Sequence, residues 1–333
     1  MGCSWCYEGG HRRPAVSHHV LITGAAGFIG STLARRLLLD GHRVTGLDAF
    51  VETYPLARKE RNVAGLLAHP GFRLVRGDIR DVAALDAVME PDAPDVVVHL
   101  AALAGVRASL LRPDVYADVN VTGTARLLEA MRTHSVERLV FASSSSVYGA
   151  RQDPPFRETD NVDLAASPYA ATKRAGEQMC ATWHHLYGIQ STCLRFFTVY
   201  GPRQRPDMAI HKFARCIGEQ RPVPMFGTGE TLRDYTYVDD IVAGMVAAIE
   251  RPLGHRVLNL GGGRAIMLRD LVTAIGRALE LPVRIEHLPA QPGDVPLTSA
   301  DISQARLALD YAPEVDLEEG LRRFVAWRRA GEP

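Results

Sequence analysis

No apolar run in this sequence reaches the roughly 18 residues needed to cross a membrane. Net charge is missing too: 38 Lys and Arg balance 38 Asp and Glu, so no general field draws the chain to nucleic acid or to a membrane surface. Any anionic ligand must be held by local arginines. Cysteine is scarce, with five at positions 3, 6, 180, 193 and 216. An odd count without framework spacing argues against disulfides and predicts a cytoplasmic protein. Cys3 and Cys6 have the spacing of half a zinc site, but no second pair completes four ligands, so no metal is expected. The opening MGCSWCYEGGHRRPAVSHH lacks an apolar centre and reads as neither a signal peptide nor, with Cys6 in place of Ser or Thr, an acylation site. Residues 1–17 read as a disordered leader. Repeats and low-complexity tracts are absent.

What is present is a chain of 333 residues, 47% apolar and 23% charged, enough for one large domain or two linked ones. The most informative stretch is VLITGAAGFIG at 20–30. A short apolar run breaks into a loop with Gly24, Gly27 and Gly30, and a helical pattern follows with Ile29, Leu33 and Leu37 on one face. Strand, glycine loop and helix in that order make an anion site, because the first N–H groups of the helix have no partner within it. The next strand, RVTGLD, ends in Asp48, near the spacing at which a carboxylate meets the ribose of a dinucleotide. A free carboxylate there repels a 2′-phosphate, which predicts NAD rather than NADP.

Further strands are expected at Phe72–Arg76, Asp95–Leu100, Arg138–Ala142, 191–197 and Val257–Leu260, with long helical patterns at Asp114–Thr133 and from Pro168. The alternation predicts an α/β fold: a doubly wound, Rossmann-like parallel sheet. Beyond about 197 the alternation lapses and proline accumulates. A smaller mixed α/β substrate lobe is therefore expected towards the C-terminus, from about 197–231 plus 263–330, beside a cofactor domain of 18–196 plus about 232–262. Asp78 is placed to meet an adenine amino group or to cap the helix from Val82. The small residues after Leu100 let the chain pass close to a cofactor.

Tyr169 and Lys173 stand four residues apart on one helical face. A tyrosine near pKa 10 is a poor base at neutral pH. A neighbouring ammonium and the positive nicotinamide of NAD⁺ favour the phenolate, which can then take a hydroxyl proton as hydride leaves. A serine from the run Ser143–Ser146 can bond the same oxygen.

These motifs together resemble the extended short-chain dehydrogenases/reductases of the nucleotide-sugar epimerase and dehydratase group. The resemblance covers nearly the whole chain: TGAAGFIG, Asp48, GDIRD at 77–81, HLAALAGVR at 99–107, Asn120, SSSSVYG, SPYAATK and RDYTYVDDIV at 233–242. It implies Ser144, Tyr169 and Lys173 as catalytic residues. It implies a cofactor site of Gly24, Gly27, Phe28, Ile29, Gly30, Asp48, Asp78, Ile79, Leu100, Ala101, Ala102 and Asn120, with Tyr169 and Lys173. It also implies a homodimer packed through the helices near 114–133 and 168–187.

Dehydratases and uronate decarboxylases of the group usually carry acidic residues where this chain has Ser145 and Ser146. FFTVYGPRQRPDM at 196–208, QPGDV at 291–295 and DAFVETYPLARK resemble the UDP-glucuronate 4-epimerases, although Ala49 and Glu52 replace that group's usual Asn and Asp. The likeness implies a UDP-sugar substrate, UDP-glucuronate first. Arg233 is assigned to the diphosphate and Arg205 to the sugar carboxylate, with Arg107 assisting. Ser145, Ser146, Thr198 and Met208 are sugar-side contacts, and Asp294 is assigned to the UDP ribose. Rivals are another UDP-sugar 4-epimerase, a UDP-glucuronate decarboxylase, and a non-catalytic NAD-binding regulator.

Overall fold

The computed structural model describes residues 16–289 and 297–332. Seven parallel strands form the central sheet: β1 (His19–Thr23), β2 (Arg43–Asp48), β3 (Phe72–Arg76), β4 (Val96–His99), β5 (Arg138–Ser144), β6 (Gln190–Phe196) and a late strand, His255–Leu260. Three short elements precede that late strand in the chain, namely β7 (Thr198–Tyr200), β8 (Val223–Phe226) and β9 (Leu232–Tyr237), so it is β10. The order across the sheet is β10-β6-β5-β4-β1-β2-β3. Strand order reverses between β1 and β4, and that reversal opens a crevice at their carboxyl ends.

Alternation along the strands explains the layering. Val20 and Ile22 of β1, Val96 and Val98 of β4, and Val140 and Ala142 of β5 enter one apolar core. The residues between them, Leu21, Val97, Leu139 and Phe141, enter a second core on the other face. Successive strand side chains point to opposite faces, so a sheet covered on both sides needs apolar residues at every position. Helix α1 (Phe28–Leu39) buries Leu33 and Leu37 on the first face. Next in the chain come α2 (Leu56–Leu67), α3 (Val82–Met89), α4 (Val106–Leu111), α5 (Pro113–Ala117) and α6 (Gly123–Thr133). A π-helical turn, Asp118–Thr122, joins α5 to α6 and carries Asn120. Helix α7 (Pro168–Tyr187) starts from a Ser167 side chain that accepts the Ala170 N–H and ends at left-handed Gly188.

Gly176 of α7 is where that helix meets the sheet: a Cβ there would press into the Phe141 ring of β5. Gly176→Val is expected to destabilise the protein by roughly 1–3 kcal/mol, as overpacking does. A melting curve unchanged from native would refute that packing argument.

The second lobe holds a three-stranded sheet of β7, β9 and β11 (Ala265–Met267), and a two-stranded sheet of β8 and β12 (Ile285–Leu288). Its helices include α8 (Ala209–Gly218). Residues 232–237 pair with β7 here, while α9 (Val238–Glu250) and β10 belong to the central sheet's layers. β9 hydrogen-bonds β7 in register, Thr198 opposite Tyr235. The leader up to residue 15 lies outside the described residues. Among the described residues, no helix is long and apolar enough to cross a membrane.

Candidate active site

One cleft of about 750 Å³ runs from the glycine loop, past the ends of β1 and β4, to the serine run and the second lobe. Almost every residue singled out from the sequence lines it: Gly24, Gly27, Phe28, Ile29, Gly30, Asp48, Asp78, Ile79, Leu100, Ala101 and Ala102 with Ser144, Ser145, Ser146, Tyr169, Lys173, Thr198, Arg205, Met208, Arg233 and Arg107. Asn120 does not line it. Its side chain holds the wall instead: Oδ1 accepts the Leu103 N–H at 2.8 Å, and Nδ2 donates to the Leu103 carbonyl and the Thr172 hydroxyl, each at 3.0 Å. These bonds support the loop after β4. Asp294 lies outside the described residues.

The loop that opens the cleft is built for close approach. Gly24 has φ +75°, and a Cβ on it would lie 2.8 Å from the Ala101 nitrogen. No side chain caps the N-terminus of α1, so its first N–H groups remain available to an anion. Asp48 differs from the free carboxylate expected. Its Oδ2 accepts the Ala26 N–H at 3.0 Å, and its Oδ1 accepts the Phe50 N–H at 2.7 Å and Lys59 Nζ at 3.3 Å. A carboxylate has about four lone-pair sites, so room remains for a hydroxyl donor. Lys59 offsets part of the charge that would repel a 2′-phosphate. Asp78 is gripped by Arg80, whose Nε and Nη2 donate at 3.0 and 2.7 Å. The helix from Val82 is capped by Asp81, whose Oδ1 accepts the Ala83 N–H. Capping therefore falls to Asp81, and the Asp78 carboxyl is held below its ordinary range, the Arg80 bonds outweighing burial.

At the other end, Tyr169 and Lys173 project from the first turns of α7. Lys173 Nζ donates to the Ala142 carbonyl at 2.7 Å and lies 5.2 Å from the Phe141 ring centre. Burial pulls its pKa down to about 8, opposed by Cys180 and Glu177. Tyr169 is pushed above the usual phenol value by burial, while a hydrogen bond with Ser144 and the charge of Arg205 act to lower it. Ser144 Oγ also accepts the Ser146 N–H at 3.2 Å and bonds the Ser146 hydroxyl at 3.0 Å.

Arg205 arrives already paired. Its Nε and Nη2 donate to the two oxygens of Asp207 at 3.0 and 2.6 Å, and Nη1 donates to the Ala104 carbonyl at 3.2 Å. Burial works against its charge, and the Asp207 bonds more than restore it. Arg233 Nη1 donates to the Leu232 carbonyl, and the Arg107 guanidinium sits 5.3 Å from the Phe226 ring centre.

Sequence reading missed Tyr54, Lys59 and Asp207, which also line the cleft. Helix α2 is hard to read from the sequence because its buried face includes Lys59 and Asn62 beside Val63 and Leu66. Spacing at 59, 62, 63 and 66 was the available signal, hidden by two polar residues on the inward stripe. Tyr54 is pushed up to about 12, by burial first and then by Asp48.

A glycine loop at the reversal of a parallel sheet, facing a Ser, Tyr and Lys set, defines a dinucleotide-dependent enzyme that moves hydride at a hydroxyl-bearing carbon. The chain belongs to the NAD dependent epimerase/dehydratase family, whose model matches residues 20–261. It is 43% identical over 312 residues to a UDP-glucuronate 4-epimerase of Thermodesulfobacterium geofontis, covering 93% of this chain and 96% of that one. The UDP-glucuronic acid 4-epimerase of Bacillus cereus, solved with UDP-glucuronic acid and NAD, superposes with TM-score 0.87 at 36% identity, covering 94% and 99% of the two chains. A UDP-glucose 4-epimerase of Thermotoga maritima, solved with UDP-glucose, gives TM-score 0.87 at 30% identity, covering 95% and 100%.

Proposed function

We propose that this chain is an NAD-dependent UDP-glucuronate 4-epimerase. The carrying observation is Arg205: a guanidinium set in the same cleft as Ser144, Tyr169 and Thr198. A sugar with a carboxylate calls for such a group, and UDP-glucose does not. NAD, held by the 24–30 glycine loop and Asp48, would supply a hydride acceptor for C4, a hydride donor back to the 4-keto carbon, and positive charge in its oxidised form. Tyr169 takes the 4-hydroxyl proton and gives it back, with Ser144 bonded to the same oxygen. Lys173 holds its charge behind them. Arg233, with Arg107, takes the diphosphate, Thr198 and Met208 flank the sugar, and Asp294 takes the UDP ribose. Ser145 and Ser146 stand where an acidic residue would promote elimination or decarboxylation.

The same reading includes a cytoplasmic homodimer. Leu186 and Tyr187 at the end of α7 are 58% and 50% exposed, and Arg132 of α6 stacks on Tyr187 with 5.5 Å to the ring centre. An apolar rim on these two helices suits burial against a second copy.

The test is product analysis. Purified protein incubated with UDP-glucuronate should yield UDP-galacturonate by NMR, and mass spectrometry of denatured protein should find NAD. Turnover of UDP-glucose in preference would move the reading to that epimerase type, and UDP-pentose with CO₂ as sole products would make it a decarboxylase. Bound NAD without turnover of any nucleotide sugar would make it a regulator. Mostly NADP in the released cofactor would show that Lys59 has cancelled the discrimination expected of Asp48.

A further inference from the structure

We propose that the buried ion pair of Glu177 and Arg195 is a positioning device for the reaction, locking the serine before Ser144 to the helix that carries Tyr169 and Lys173. The inference rests on the roles proposed above for those three residues.

Glu177 is one helical turn beyond Lys173 and two beyond Tyr169, so the three share a face of α7. Its Oε1 accepts the Ser143 hydroxyl at 2.6 Å. Arg195 of β6 closes a two-pronged pair, Nε to Oε1 at 2.8 Å and Nη2 to Oε2 at 2.9 Å. Ser143 and Arg195 are themselves in register across β5 and β6. The carboxylate therefore binds three elements at one point. One position on from that point, β5 delivers Ser144; three on, the chain from β6 delivers Thr198. The Arg195 guanidinium also lies 4.8 Å from the centre of the Tyr148 ring, and Tyr148 donates to Asn259 Oδ1 at 2.6 Å. That contact fixes the far end of the serine run.

Neither Glu177 nor Arg195 lines the cleft, and each is only 2% exposed. Burial opposes the charge of Glu177, but Arg195, Ser143 and Arg174 reverse that effect. Stability is a weak explanation for such a pair, since well-packed apolar replacements are often as stable, whereas registry is its best-attested use. Lys173 ties α7 to β5 at the Ala142 carbonyl, and Gly176 packs on the Phe141 ring. A two-pronged ion pair, with further bonds from Ser143 and Arg174, adds a directional tie one turn on that has one good geometry.

The experiment compares native enzyme with Glu177→Leu/Arg195→Met and with Ser143→Ala, all loaded with NAD. The apolar pair should fold, melting somewhat below native because the buried Ser143 hydroxyl loses its acceptor, retain NAD and keep KM within about threefold. Its kcat should nevertheless fall on the order of 100-fold, the scale of a small misplacement of reacting groups. Ser143→Ala, which removes a single hydroxyl, should lower kcat about tenfold with KM unchanged. A folded apolar pair with kcat within threefold of native overturns the proposal. If that variant does not fold, Ser143→Ala with native kcat overturns it. Native turnover of UDP-glucuronate is the control. Should it be absent, the functional reading fails, and the pair is judged by hydrogen exchange of the Ser144–Tyr148 segment in NAD-loaded protein. Faster exchange there than native, with the 24–30 loop unchanged, supports the proposal, and equal exchange overturns it.

Discussion

Tyr169→Phe is expected to retain NAD and bind UDP-glucuronate while losing turnover by a factor on the order of 10³ or more, as loss of a general base allows. The substitution removes one oxygen from a buried site and leaves the ring in its edge contact with Tyr116, 6.3 Å between centres. Folding should therefore survive. The chemistry should not, because Tyr169 is the cleft phenol that bonds Ser144. Burial raises the Tyr169 pKa, and Ser144 and Arg205 pull it back. Below the phenol's operative pKa the base is protonated, so native turnover should rise with pH until Tyr169 ionises. Lys173, drawn down to about 8 by burial, loses its charge above that value, which limits the rise on the alkaline side. Steady-state kinetics across pH, with cofactor content measured in parallel, is the check. Turnover within about tenfold of native would remove Tyr169 as the base.

Arg205→Ala should have the second largest effect, and a different kind. Oxidation at C4 of glucuronate gives a β-keto acid, which loses CO₂ when the bond to its carboxylate stands perpendicular to the ketone plane. An epimerase must hold the carboxylate away from that geometry until hydride returns. A charge-assisted hydrogen bond of about 1.5–3 kcal/mol corresponds to a loss in affinity of roughly 10- to 150-fold. Arg205 suits the task because Asp207 and the Ala104 carbonyl already fix its fork, so little freedom is lost on binding. We propose that it acts with Ser145 and Thr198. Weaker binding of UDP-glucuronate should be accompanied by CO₂ and a UDP-4-keto-pentose, with UDP-glucose much less affected if it binds. Native affinity with no added CO₂ would exclude Arg205 from the sugar site and direct attention to Arg107.

Much of this was legible along the chain because local chemistry carries it. Glycines at 24, 27 and 30 between an apolar run and a helical stripe can serve few purposes, and the structure puts them at the reversal of strand order. Tyr169 and Lys173 are four apart, so one helix suffices to bring them together. The continuous apolar runs VLI and VVV announced a sheet buried on both faces, and two cores cover it.

What resisted reading was everything whose meaning lies across the sheet or between lobes. Lys59 interrupts the apolar stripe of α2, and only the fold sets its ammonium 3.3 Å from Asp48. Asn120 bonds Leu103 and Thr172, partners that only the fold brings to it. Arg205 was found, whereas its partnership with Asp207 was not, because charges two residues apart in a loop pair only if the backbone turns to let them.

The sequence by itself determined the sheet class, the glycine loop, and the placing of Tyr169 and Lys173 on one helical face, since each rests on short-range spacing that any helix or strand must obey. Tertiary structure alone decided which charges are neutralised, which buried polar residues find partners, and how Ser143, Glu177 and Arg195 converge from three elements. The physical reason is range: periodicity acts over a few residues, while burial and ion pairing depend on groups brought together from distant parts of the chain.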